Sequence, residues 1–190
     1  MIEADKRLVY EEMDGRPIFY KGHQRLLVSQ LNPEDIRGSS VSQSLVISLI
    51  LRHLYRFLDA SVYEILTNEL GLHLSKGNNL SADIAIYNKQ LHPLDVYSGT
   101  YASAPPHVVI EVDLKADVND FASPVDYYLT KTRKLLTFGV EKVIWVSTQT
   151  QTIMAAGMGE DLKPQDWHTP ITILPSLTLS IGALVTEAGY

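Results

Sequence analysis

The stretch Val108-Val109-Ile110-Glu111-Val112-Asp113-Leu114-Lys115 constrains this chain more than any other, because apolar and ionisable residues alternate there with the two-residue period of a β-strand. Val108, Ile110, Val112 and Leu114 then share one apolar face, and Glu111, Asp113 and Lys115 share the other. Two carboxylates side by side repel unless a positive charge lies between them, and a divalent cation with a neighbouring ammonium meets that need. The strand is thus a candidate metal site. A strand with one solvated face carries acids and a lysine equally well, so the pattern alone leaves both readings open.

With 190 residues, 45% of them hydrophobic, the chain can bury a sizeable core, and no shift in composition divides it, so residues 1–190 read as one domain. The absence of cysteine rules out disulfides and thiolate metal sites and fits a reducing, cytoplasmic setting. Met1 to Tyr10 carries Glu3, Asp5, Lys6 and Arg7 without an apolar core, unlike a secretory signal. The longest apolar run, Leu45 to Leu51, is interrupted by Ser48 and followed by Arg52 and His53, too short for a membrane span, so no membrane partner is expected. Sixteen Lys and Arg against 22 Asp and Glu give a net charge of -6, which argues mildly against nucleic acid unless a local patch or a bound cation supplies positive charge.

Leu8 to Tyr20 reads as a hairpin turning at Asp14-Gly15, and Asn32-Pro33-Glu34-Asp35 as a loop or single helical turn. From Ser40 to Leu58 apolar residues recur at three- and four-residue spacing, with Ser39 or Ser40 as the cap of a first long helix. Three strands are expected at Val62–Thr67, Leu70–Leu74 and Asp83–Tyr87, with a turn at Lys76-Gly77-Asn78-Asn79, and a loop from Asn88 to Pro106 precedes the acidic strand. A second helix, Val125 to Phe138, is capped by Ser123, opened by Pro124 and ended by Gly139. Val140 to Val146 reads as a buried strand on which Gln151 to Ala155 pairs back, and Thr172–Leu174 and Leu177–Leu184 are strand-like. The order defines a mixed α/β or α+β fold around one central sheet.

If the strands of Asp83 and Glu111 pair, their carboxylates converge on one cation, the arrangement that phosphodiester hydrolysis requires. Lys115 on the same strand or Lys131 on the second helix would supply the cationic group; a plain strand-start residue also accounts for Asp83. The six histidines lack the short spacing of a zinc site. Glu64 as a supplementary acid, and Arg52, His53, Arg56, Arg133 and Lys134 as phosphate contacts, compete with ordinary solvated faces.

Asp83 in Ser-Ala-Asp-Ile-Ala-Ile, the run Pro105 to Val112 containing Glu111, and Lys131 eight residues before Gly139-Val140 with Trp145 beyond resemble the Uma-two family. These are restriction-type endonucleases of the PD-(D/E)XK nuclease superfamily. The resemblance spans nearly the whole chain, from Tyr10-Glu11-Glu12 and Asp14-Gly15 in the opening hairpin to Leu174-Pro175 near the end. It implies a restriction-endonuclease-like core, a mixed central sheet flanked by helices with an N-terminal β-hairpin, and divalent-metal-dependent (Mg2+ or Mn2+) hydrolysis of DNA phosphodiester bonds. A homodimer is compatible with it. By the resemblance Asp83 and Glu111 are metal ligands, joined by the Val112 carbonyl; Asp113, on the same strand face as Glu111, is a candidate third acid on the residues themselves. The superfamily's lysine position holds Asp113, however, Ser42 stands where the family tends to have histidine, and Leu135 where tyrosine is frequent. Either Asp113-Leu114-Lys115 is a shifted acid-x-lysine unit, or Lys131 is the catalytic cation with Lys115 a peripheral phosphate contact. The remaining alternative is a catalytically inactive nuclease fold that serves as a binding or interaction module.

Overall fold

The computed structural model describes residues 6–28, 36 and 38–190. Its organising element is a long strand, β4 (Asn78–Asn88), which pairs on both edges. One edge is covered along its length by β3 (Tyr63–Ser75), antiparallel across the turn at Lys76-Gly77. The other edge is shared: β1 (Val9–Met13) meets it at Asn79, and β5 (Val108–Val112) meets it at Ile84 to Ile86. Ser81 and Asp83 lie where the two partners diverge. β2 (Arg16–Phe19) pairs with β1 across Asp14 and Gly15, whose φ values of 51° and 74° suit a tight primed hairpin turn. β6 (Lys142–Ser147) runs parallel to β5, and β7 (Thr152–Gly157) returns antiparallel to end on β8 (Gln165–Asp166). The sheet order is therefore β2-β1-β4-β5-β6-β7-β8, with β3 on β4.

Helices cover both faces. α1 (His23–Val28) follows the hairpin. α2 (Val41–Phe57) starts at Ser40, whose side chain accepts from the Gln43 N–H, and buries Val46, Ile50 and Leu54 against Ile84, Ile86, Ile110 and Ile144. α3 (Pro124–Phe138) covers the other face with Tyr127, Leu135 and Leu136 against Ala85, Tyr87, Val109 and Trp145. Ser123 and Pro124 begin it as expected and Gly139 ends it. β9 (Ile171–Leu174), β10 (Leu177–Leu179) and α4 (Ile181–Glu187) close the α2 face. The result is a mixed α+β fold with one large mixed sheet and an N-terminal hairpin, as the sequence implies. Among the described residues no helix is long and apolar enough to cross a membrane.

Four expectations are corrected, and one falls outside the described residues. The two strands expected at Val62–Thr67 and Leu70–Leu74 are one strand, β3, interrupted by a bulge. Its register passes from Thr67 opposite Ile84 to Leu70 opposite Ala82, so Asn68 and Glu69, both at positive φ, face Asp83 together. Asp83 does not begin its strand but sits at its middle. The acidic strand stops at Val112, because Asp113 adopts a left-handed φ of 59° and ends the alternation before Leu114 and Lys115. Leu177–Leu184 is strand only to Leu179; Ser180 then caps α4. The turn at Asn32-Pro33-Glu34-Asp35 lies outside the described residues.

Gly139 has a φ of 118°, and a Cβ there would come within 3.0 Å of the Pro105 ring. Gly139→Ala is expected to lower stability by about 1–2 kcal/mol through strain at the helix end. Urea denaturation checks this, and an unchanged midpoint would refute it.

Candidate active site

The divergence of β1 and β5 from β4 leaves a place in the sheet where side chains from three strands meet without a continuous ladder between them. Asp83 projects there, only 3% exposed. Continuing the Ile84–Ile110 register by one residue sets Glu111 directly opposite it, so the two acids expected to cooperate are cross-strand neighbours on the α3 face. The strands of the two acids do pair, the condition on which their convergence depended; the sequence does not show what else would be there.

Two lysines and two further glutamates complete the group. Asp83 Oδ2 accepts the Val112 N–H at 2.9 Å, and Oδ1 meets Lys115 Nζ at 3.1 Å. Lys115 Nζ also donates to Glu69 Oε1 at 2.6 Å, and Tyr20 donates its hydroxyl to Glu69 Oε2 at 2.8 Å. Had the strand continued, Lys115 would lie roughly 13 Å from Glu111 along the backbone. The left-handed turn at Asp113 instead brings the chain back to pair with the hairpin end, where Lys21 N–H donates to the Lys115 carbonyl at 2.7 Å. On the other side of the pair, Lys131 Nζ reaches down from α3 to Glu111 Oε1 at 2.9 Å and Glu11 Oε1 at 2.6 Å. Glu11 is saturated, accepting in addition the Ser81 N–H and hydroxyl and the Tyr127 hydroxyl. The Lys131–Glu111 contact lies off the hydrogen-bonding direction, so Glu111 Oε1 is a buried acceptor without a directional donor. Gln43, from the first turn of α2, donates Nε2 to the Val112 carbonyl at 2.6 Å.

Electrostatics follow from this inventory. Four carboxyl groups face two ammonium groups, so two of the acids lack a cationic counterpart. The strain falls on Glu111, whose pKa is pushed up to about 8 by burial; Lys131 opposes the rise, and the Asp83 and Glu11 charges add to it. Burial disfavours the charge of Lys131, yet Glu11 and Glu111 outweigh burial and hold its pKa above the usual lysine value. Lys115 behaves likewise, with Asp83 and Glu69 outweighing burial.

A hard divalent cation fits this donor set in chemistry, since Asp83, Glu111 and the Val112 carbonyl all offer oxygen beside excess negative charge. Among the described residues no three His, Asp or Glu side chains are already grouped to hold one, and lysines lie against both Asp83 and Glu111. Asp113 is not brought into the group. Its carboxylate accepts the Thr148 N–H and hydroxyl, both at 2.7 Å, so its expected place on the face of Glu111 is corrected by its own backbone torsion. Glu64 pairs with Lys89 at 3.8 Å near the start of β3, His53 contacts the Thr178 carbonyl, and Lys134 binds Asp14 at 2.6 Å.

Glu11 and Glu69 are the residues that sequence reasoning missed. Glu11 left a signal: it shares one buried face of β1 with Met13, an acid beside an apolar neighbour two residues on. Glu69 left a fainter one, the break in strand pattern after Thr67, which was the bulge itself.

No family model matches the sequence, and no curated protein does. Among solved structures, the chain resembles a crystal structure from Anabaena variabilis described as "a putative nuclease belonging to DUF820", with a TM-score of 0.66 and 14% identity over 93% of this chain and 89% of that one. At that identity the likeness is one of fold: this chain has the architecture of a structure described as a nuclease.

The Glu111 shift carries a sign. An acid whose pKa rises on folding binds an extra proton in the native state, so stability falls as pH climbs from about 4.5 towards about 8. Glu111→Gln mimics the protonated form and leaves Lys131 paired with Glu11. The variant is expected to match the parent near pH 5 and to exceed it by about 2–4 kcal/mol near pH 9. Urea titrations at the two pH values test this, and a parent more stable than the variant at high pH would contradict it.

Proposed function

We propose that this protein is a divalent-metal-dependent nuclease that hydrolyses phosphodiester bonds of DNA. The observation that carries the reading is the buried Asp83–Glu111 pair, short of positive charge and flanked by Lys115 and Lys131. Asp83 and Glu111, with the Val112 carbonyl, would hold Mg2+ or Mn2+, which when bound would activate a water and offset charge on the scissile phosphate. The fold likeness to a structure described as a nuclease agrees with it.

The two lysines divide the remaining work by burial. Lys131 is fully enclosed between Glu11 and Glu111, so it orients Glu111 and cannot meet a phosphate without opening the core. Lys115 is 11% exposed at its side chain and lines a cleft of about 730 Å3 with Lys21, Ser40, Ser42, Gln43 and Thr148. Lys115 is therefore the group that stabilises charge on the phosphate, and Lys21 and the hydroxyls follow the strand beyond it. A catalytically inactive binding module is the second reading, favoured by the occupancy of the carboxylates by lysine.

Manganese should raise the melting temperature of the parent protein and support cleavage of a DNA substrate. Asp83→Asn is expected to abolish both responses. Lys115→Ala should cut cleavage by about 100-fold or more while retaining the manganese shift, and Lys131→Met should lower stability by about 3 kcal/mol by stranding two buried glutamates. A parent with a manganese shift but no cleavage selects the binding module; a parent with neither response refutes the metal centre. Full cleavage by Lys115→Ala with loss in Lys131→Ala would reverse the roles of the lysines.

A further inference from the structure

Beside the carboxylate group, between the β1–β2 hairpin and β3, lies a second cleft of about 690 Å3 whose chemistry is unlike the first. Its walls carry the aromatic rings of Phe19 and Tyr20 from the hairpin and Tyr101 from the loop before β5. Tyr101 is held in place although the residue is 59% exposed. Its neighbour Ala102 donates to the Gly71 carbonyl at 2.9 Å and accepts from the His73 N–H at 2.8 Å, which zips this part of the loop onto β3. The ring then lies on Gly71 so closely that a Cβ there would come within 2.6 Å of it. Only a glycine leaves the space, and the ring's other side stays open to solvent.

The charged groups of the cleft are all carboxylates, from Glu11, Glu12 and Glu69. Glu12 is half-buried and takes the Asn79 amide on Oε2 at 3.0 Å, and no lysine or arginine lines the cleft among the described residues. Glu69 forms the wall shared with Lys115 and Asp83. A phosphate is repelled here, whereas a flat ring with an N–H donor gains stacking and a charge-assisted hydrogen bond. Adjacency to the phosphodiester centre makes a nucleobase the flat ring of the right class.

We propose that this cleft is a nucleobase subsite, in which one unpaired base stacks on Tyr101 and presents an exocyclic amino group to Glu12. The inference rests on the nuclease reading for the identity of its ligand, and it makes single-stranded or frayed DNA the preferred substrate, since a paired base offers neither its face nor its amino edge.

Nucleosides test it without metal or cleavage. In calorimetry on the full chain in metal-free buffer, cytidine should bind at millimolar concentration and more tightly than uridine, which lacks the amino group. Tyr101→Ala should weaken cytidine about tenfold, the expectation for losing one stacked base, while Tyr101→Phe keeps it. Gly71→Ala, which displaces the ring, should weaken it similarly, and Glu12→Gln should erase the preference over uridine. Absence of cytidine binding, indifference to Tyr101→Ala, equal binding of uridine, or tighter binding of agmatine, a guanidinium without a base, would overturn the proposal. Because the probe needs no metal, failure here leaves the metal-dependent cleavage standing, and loss of the manganese response with cytidine binding intact would sink only the latter.

Discussion

A single ammonium group, Lys131 Nζ, ties together parts of this structure that lie far apart in the chain. It is fully buried, and removing an ammonium from water costs several kcal/mol unless carboxylates surround it. Glu11 from the opening hairpin and Glu111 from the central strand meet that requirement, and the rings of Tyr10 and Trp145 stand within 5.6 and 5.5 Å of the charge. The hairpin, the central sheet and α3 are thereby held to one another at a polar point inside an otherwise apolar layer. Glu11 is fixed in turn by Ser81 and Tyr127, so this partner of the lysine is not free to swing away.

The same point is where the sheet is least regular. β4 exchanges one partner for another along a single edge, and the opposite edge carries a bulge at the same level. Irregular pairing places four acids from four strands within reach of two lysines, a grouping that an unbroken ladder would spread along alternating positions. Carboxyl groups outnumber ammonium groups inside the cluster, and the imbalance is felt at Glu111, whose proton burial and the neighbouring acids hold to higher pH than a free carboxyl would. An excess of acid opposes folding and favours a cationic ligand, and this is the physical basis of the proposed metal centre.

Local signals made most of the fold legible. Ser40, Ser123-Pro124, Gly139 and Asp14-Gly15 fix helix and hairpin ends by backbone chemistry that acts within four residues, and those elements lie where the sequence puts them. Asp83 and Glu111 were legible too, because acids in apolar strands need an explanation. Torsions were not legible: nothing in Val112-Asp113-Leu114 announces that Asp113 turns left-handed, yet that one angle removes Asp113 from the site and returns Lys115 to it. Glu69 was hidden for a related reason, since a bulge reads as the end of a strand when hydrophobic period is the only guide.

The bulge in β3 has a consequence for how this chain can vary. Asn68 and Glu69 together oppose Asp83, so what positions the Glu69 carboxylate is a count of residues and not a side-chain preference. Substitution along β3 changes one contact at a time, but deleting a single residue there would move every position from Leu70 to Ser75 by one step against β4 and turn Leu72 from the core towards the face of Tyr101. In this strand, length is the quantity that the architecture fixes, and an alteration in spacing would pull apart the carboxylate group and its neighbouring cleft in one stroke.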